Sequence, residues 1–90
     1  MDFDHLLFSG HAFRRMMERG ISPADVEFVL HHGEIIEGRP DGHLVLGFVK
    51  EEPFHVVAFT DKKSRTCIVI TAYYPDPKLW DRSFRARRLK

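Results

Sequence analysis

Gly33 separates two hydrophobic rhythms, and that switch limits the possible folds of this chain more than any other feature. Before it, apolar residues recur at helical spacing, as in Val26, Val29 and Leu30. After it they alternate, as in Cys67, Val69 and Thr71 against Ile68, Ile70 and Ala72. A period of 3.6 buries one stripe of a helix, and a period of two buries one face of a strand. No helical stretch falls between the strands to carry a parallel crossover, so the pattern predicts an α+β fold with an antiparallel sheet.

Local signals place the element ends. Ser9 caps a first helix running to about Arg19, and Gly20 stops it as a left-handed glycine. Ser22 caps a second helix, with Pro23 in its first turn and Asp25 three residues after the cap. His31 and His32 sit in the last turn of that helix, where a cation gains from the helix dipole, and this role accounts for the pair without a metal. Strands are predicted over 34–37, 43–50, 54–61 and 65–74, with a strong turn at Arg39-Pro40-Asp41-Gly42. The expected architecture is two N-terminal helices packed on a four-stranded antiparallel sheet. On the last strand, Ile68, Ile70, Ala72 and Tyr74 are expected to face the helices, with Thr71 and Tyr73 facing away. On the third strand, His55 shares a side with Val57 and Phe59, and the pattern leaves open which side is covered.

At 90 residues the chain reads as a single domain, 1–90, that buries roughly 60–65% of its unfolded surface, so a shallow site suits it better than a deep cleft. Cys67 is the single cysteine, which excludes an internal disulfide, and the start lacks a charged-apolar signal segment. No apolar run nears the ~20 residues of a membrane span. The expected setting is a reducing cytoplasm. The net charge of +1 hides an uneven spread. Arg82, Arg85, Arg87, Arg88 and Lys90 crowd a basic tail, 82–90, and three arginines oppose one glutamate over 14–19. Such clusters suit an extended anion such as RNA, and a solubilising tail is the plainer alternative.

Metal, P-loop, dinucleotide and serine-hydrolase motifs are absent, so neither a cofactor nor a metal is expected. What remains is histidine, arginine and tyrosine, the groups a metal-free ribonuclease needs. RNA supplies its own 2′-hydroxyl nucleophile, and the protein adds a base, an acid and cations for the charged transition state. His11 and Arg15 are i,i+4 neighbours that can approach one phosphate, and Arg15 and Arg19 repeat the spacing. Arg14 and Glu18 are placed for an ordinary surface pair. The plain alternatives are a solvated helix face for His11, a hydrogen-bonded core position for His55, and packing for Tyr73 and Tyr74. Pro75 and Pro77 end the last strand, and Trp80 is expected to fold back over the sheet edge or the first helix.

The segments His11 to Ser22, His32 to Ile36, His55 to Val57 and Tyr74 to Trp80 together carry a resemblance. They resemble a small bacterial family of unknown function with an H-x3-R-M-x-E-R-G-I-S helix and a Y-x-P-D-x3-W ending. His32 and Met17 depart from its usual residues. Members are often encoded beside YgiT-type zinc-finger proteins that resemble MqsA-like antitoxins. The resemblance implies a RelE/MqsR-like fold and a type II toxin acting as a metal-independent endoribonuclease on mRNA, on or off the ribosome, held in check by such an antitoxin. It favours His11, Arg15 and His55 as catalytic residues. Arg19, Tyr73, Tyr74, Arg85, Arg87 and Arg88 are the candidates for binding RNA. The alternative is a non-catalytic RNA-binding or partner-regulated module.

Overall fold

The computed structural model describes residues 1–89, so Lys90 of the basic tail lies outside the described residues. The elements run β1 (His5–Phe8), α1 (Gly10–Arg19), α2 (Pro23–His32), β2 (Glu34–Arg39), β3 (Gly42–Val49), β4 (Glu52–Asp61) and β5 (Thr66–Tyr73). One sheet holds all five strands in the order β1-β5-β4-β3-β2.

The sheet is not the four-stranded antiparallel one expected. β1 is a fifth strand, and it pairs parallel with β5, from His5 opposite Thr66 to Phe8 opposite Val69, which makes the sheet mixed. The connection between these strands holds both helices and three further strands, so helices do lie between the parallel pair. The four residues of β1 alternate too briefly to announce a strand, and their partner is about sixty positions away.

The helix punctuation follows local chemistry. Ser9 Oγ accepts from the Ala12 amide at 3.0 Å, and Ser22 Oγ from the Asp25 amide at 3.1 Å. Gly20 adopts φ +67°, which costs a glycine nothing and ends α1 sharply. Both helices lie on one face of the sheet over a core of Met16, Val26, Val29, Leu30, Val45, Val56 and Val69. Each fully buried aliphatic side chain of this kind stabilises by roughly 1.5–3 kcal/mol. A Cβ at Gly33 would stand 2.5 Å from the Val29 carbonyl and 2.6 Å from the Leu46 carbonyl, so α2 ends directly against β3.

The sheet covers α1 unevenly, and one ion pair on it differs from expectation. Ala12 and Met16 are buried, whereas Phe13 is 51% and Met17 69% exposed, because the sheet covers only a narrow stripe of the helix. Glu18 pairs with Arg15 at 3.0 Å rather than with Arg14.

The last strand also changes face. Cys67 and Val69 are buried against the helices, where Ile68 and Ile70 were expected. Ala72 is buried there as expected. Val57 pairs with Thr71 but Ala58 with Val69, so Ile70 is an extra residue in β5. A bulge of one residue inverts the inside-outside alternation on either side of it.

Candidate functional site

The face of the sheet away from the helices carries the site. Phe54, Val56 and Ala58 take the helix side of β4, which sends His55 to the other side, directly opposite Tyr73 on β5. His55 is wholly buried there, the one buried polar residue among those described.

The segment after β5 does the burying. Residues 79–88 form a small hairpin, closed by Arg88 N–H to the Leu79 carbonyl and Asp81 N–H to the Ala86 carbonyl, both at 2.8 Å. At its tip Asp81 Oδ1 accepts from the Ser83 amide, the Ser83 hydroxyl and the Arg85 amide. These bonds, the Ser83 hydroxyl first, hold the Asp81 carboxyl below the usual carboxylate range. Trp80 lies edge-on over His55 with ring centroids 4.4 Å apart. The tryptophan thus anchors on the open sheet face, neither on an edge nor on α1.

Phe84 sits at the turn of this hairpin with φ +60°, an uncommon conformation for a bulky residue. Its carbonyl accepts from His55 Nε2 at 2.8 Å, and His55 Nδ1 lies 3.2 Å from the Tyr73 hydroxyl. A carbonyl can only accept, so Nε2 carries the ring proton, and Nδ1 of the neutral ring accepts a hydrogen bond from the Tyr73 O–H. Burial pushes the His55 pKa down, partly opposed by the Phe84 carbonyl. Burial likewise pushes the Tyr73 phenol up, so Tyr73 stays protonated and the pair is neutral.

Tyr73 opens into a cleft of about 550 Å³, walled by Tyr74, Leu79 and Trp80 with Arg19, Arg87 and Asp76 at its polar positions. That volume is within the range of small-molecule sites. Arg19 arrives from the end of α1, and its Nη1 donates to the Ala72 carbonyl at 2.7 Å. β1 pairs β5 only as far as Val69, so this guanidinium serves a carbonyl that lies beyond the last paired residue. Arg87 is placed by Trp80, its guanidinium carbon 4.8 Å from the indole centroid. Tyr74 packs its ring against Phe54 at 4.7 Å and remains 41% exposed.

Of the residues singled out from sequence, Arg19, Tyr73, Tyr74 and Arg87 meet in this cleft, with His55 behind Tyr73. His11 and Arg15 are exposed on α1 and are not among its lining residues. Arg85 instead grips Glu34 through three contacts of 2.9–3.2 Å and lines a separate cleft with Phe28 and Phe48. Arg88 donates to the Pro77 carbonyl. Asp76 was missed; its signal was an acid one residue after the Tyr-Tyr-Pro strand end, next to the basic tail.

Residues 8–74 match a family model described as a domain of unknown function, DUF4258. The chain belongs to this family. The match takes in Arg19, His55, Tyr73 and Tyr74. No curated protein and no solved structure matches the chain. Among the described residues, no helix is long and apolar enough to cross a membrane, and no group of three or more His, Cys, Asp and Glu is placed to hold a metal.

Proposed function

We propose that this DUF4258 domain is a metal-independent endoribonuclease of the toxin type, acting in the cleft beside Tyr73. The supporting observation is the His55–Tyr73 pair, a buried imidazole joined to the hydroxyl of a residue that lines one cleft with Arg19 and Arg87. Binding RNA needs cations and stacking rings; an imidazole nitrogen behind the hydroxyl adds a proton acceptor that chemistry can use.

In this reading Arg19 and Arg87 hold the scissile phosphate and offset the charge that grows on it. The 2′-hydroxyl passes its proton to the Tyr73 oxygen as Tyr73 passes its own to His55 Nδ1. The 2′-oxygen bonds to phosphorus, the bond to the 5′-oxygen breaks, that oxygen takes a proton from water, and the hydroxide left takes back the proton held on His55 through Tyr73. The products are a 2′,3′-cyclic phosphate and a 5′-hydroxyl end. In this reading His11 and Arg15, which share a ridge of α1 with Arg19, guide the strand toward the cleft. The reading includes a cognate antitoxin, of the YgiT zinc-finger type suggested by the resemblance, whose acidic segment fills the same cleft. It also includes a cytoplasmic setting, where mRNA is met.

The test is cleavage of a short single-stranded RNA beside its 2′-deoxy analogue, by wild type and Tyr73→Phe. The reading expects cyclic-phosphate ends from RNA alone and a loss of about 10²-fold or more in the variant. RNA left intact by the purified wild type sinks it. A second reading, RNA binding without chemistry, is favoured by the complete burial of His55, which suits a residue that only pins the hairpin. Salt-sensitive binding of RNA and its deoxy analogue alike, with no cleavage, would select it.

A further inference from the structure

Asp76 is out of place in a cleft built for phosphate. It stands with Arg19, Arg87, Tyr73 and Tyr74, and a carboxylate there repels the anion that the arginines attract. Turn formation does not account for the choice of an acid. The Asp76 carbonyl accepts from the Leu79 and Trp80 amides at 2.9 and 3.0 Å, and its Oδ1 accepts from the Lys78 amide at 2.8 Å. Asparagine would serve that turn equally well, because it offers the same side-chain oxygen. What an aspartate adds is a second acceptor oxygen and a negative charge. Among the described residues, Oδ2 takes no hydrogen bond and Asp76 joins no salt bridge.

We propose that Asp76 makes the cleft a subsite for guanine, an inference that rests on the RNA reading above. An ionised carboxylate is acceptor-only, so it matches a base edge that offers donors side by side. Guanine alone does so, through N1–H and the exocyclic N2 amino group. Adenine and cytosine each set one amino donor beside a ring nitrogen acceptor. Uracil sets one N–H between two carbonyls. Each of these three turns a lone pair toward the carboxylate, which is unfavourable. Tyr74 lines the same cleft and is 41% exposed, so it offers aromatic surface on which a base can stack. A guanine stacked there with its donor edge toward Asp76 leaves its phosphate to Arg19 and Arg87. The acid thus reads the base while the arginines hold the backbone, and like charges are kept apart along one nucleotide.

The test is titration of the full chain with the 3′-monophosphates of guanosine, adenosine, cytidine and uridine at one fixed ionic strength, followed by NMR. Guanosine monophosphate should bind about tenfold or more tightly than the other three. Asp76→Asn keeps the turn oxygen and replaces the free acceptor with a donor, so it should erase that preference while leaving the spectrum of the fold intact. Four nucleotides binding within threefold of one another overturn the guanine inference and leave the RNA reading standing. A guanine preference that survives in Asp76→Asn also overturns it. If none of the four binds and a short RNA oligomer does not bind either, both readings fall together. Because binding is measured without cleavage, a catalytically silent protein still answers the question.

Discussion

The two faces of this sheet are closed by different means. Against the helices lies an apolar cluster from Ala12 to Ala72, held by area and shape. Against the hairpin lies His55, held by one carbonyl, one hydroxyl and one indole edge. Apolar packing is non-directional and spreads its stabilisation over many contacts, so it fixes the fold. Directional bonds concentrated on one ring fix a geometry, and they can be released locally. The difference separates a face held as scaffold from the face that carries the candidate site.

Truncation on each face tests that contrast with the largest effects. Leu30→Ala removes a fully buried side chain from the helix face and should cost about 3 kcal/mol in urea denaturation, with the whole domain unfolding in one transition. Trp80→Ala removes the lid of the other face. Hydrogen exchange should then accelerate at the amides of the hairpin and at Tyr73, while β3 and the middle of β4 keep their protection. Equal loss of protection in β3 and in the hairpin would mean that the two faces unfold as one unit and that the hairpin is part of the scaffold.

The two helices were largely legible in the sequence because their determinants are local. Ser9, Gly20, Ser22 and Gly33 each mark a helix end through bonds to residues within a few positions, and Pro23 marks one through its fixed φ. β1 was hidden because a parallel pairing of first and last strands leaves no short-range trace. The bulge at Ile70 was hidden for a related reason: one extra residue swaps the faces of a strand without disturbing its composition. Part of the candidate site was visible as residue types, in Arg19, Tyr73, Tyr74 and Arg87. Its assembly was not, because the meeting of His55 with Tyr73 depends on the register between β4 and β5, and the Phe84 carbonyl is aimed by a backbone angle that no residue pattern announces.

A smaller effect, and one specific to the hairpin face, comes from pH. The folded chain holds His55 neutral, with its pKa below the ordinary 6.5 that the unfolded chain shows. Between those two values the unfolded state binds more protons, so stability rises with pH there. The contribution of His55 is fully present above about pH 6.5 and is lost as pH falls through the folded value. Thermal midpoints measured from pH 8 down to pH 5 should therefore fall on the acid side. His55→Gln, which keeps an amide donor for the Phe84 carbonyl, should flatten that slope. A variant that keeps the full wild-type slope would place the titrating group elsewhere and weaken the neutral pair.

The smallest effects separate two kinds of backbone strain. Lys50 and Glu51, at the tip of the β3–β4 hairpin, have φ +51° and +69°, the pair of positive angles found in tight two-residue turns that favour Asn-Gly. Nothing in the site depends on them, so Glu51→Gly should simply gain about 1 kcal/mol by relieving a left-handed residue, with the pH slope unchanged. Phe84 has φ +60° as well, but its carbonyl is the partner of His55. Phe84→Gly relieves similar strain and gives up a half-buried ring, so the two changes oppose each other and the net change in stability should stay within about 1 kcal/mol. The pH slope should survive, because the carbonyl remains where the turn puts it. If the slope instead disappears in Phe84→Gly while Glu51→Gly behaves as expected, the phenylalanine ring rather than the carbonyl is what holds the hairpin over His55. The strained angle would then be a by-product of packing that ring, and the contrast between a shape-held face and a bond-held face would fail at its most specific point.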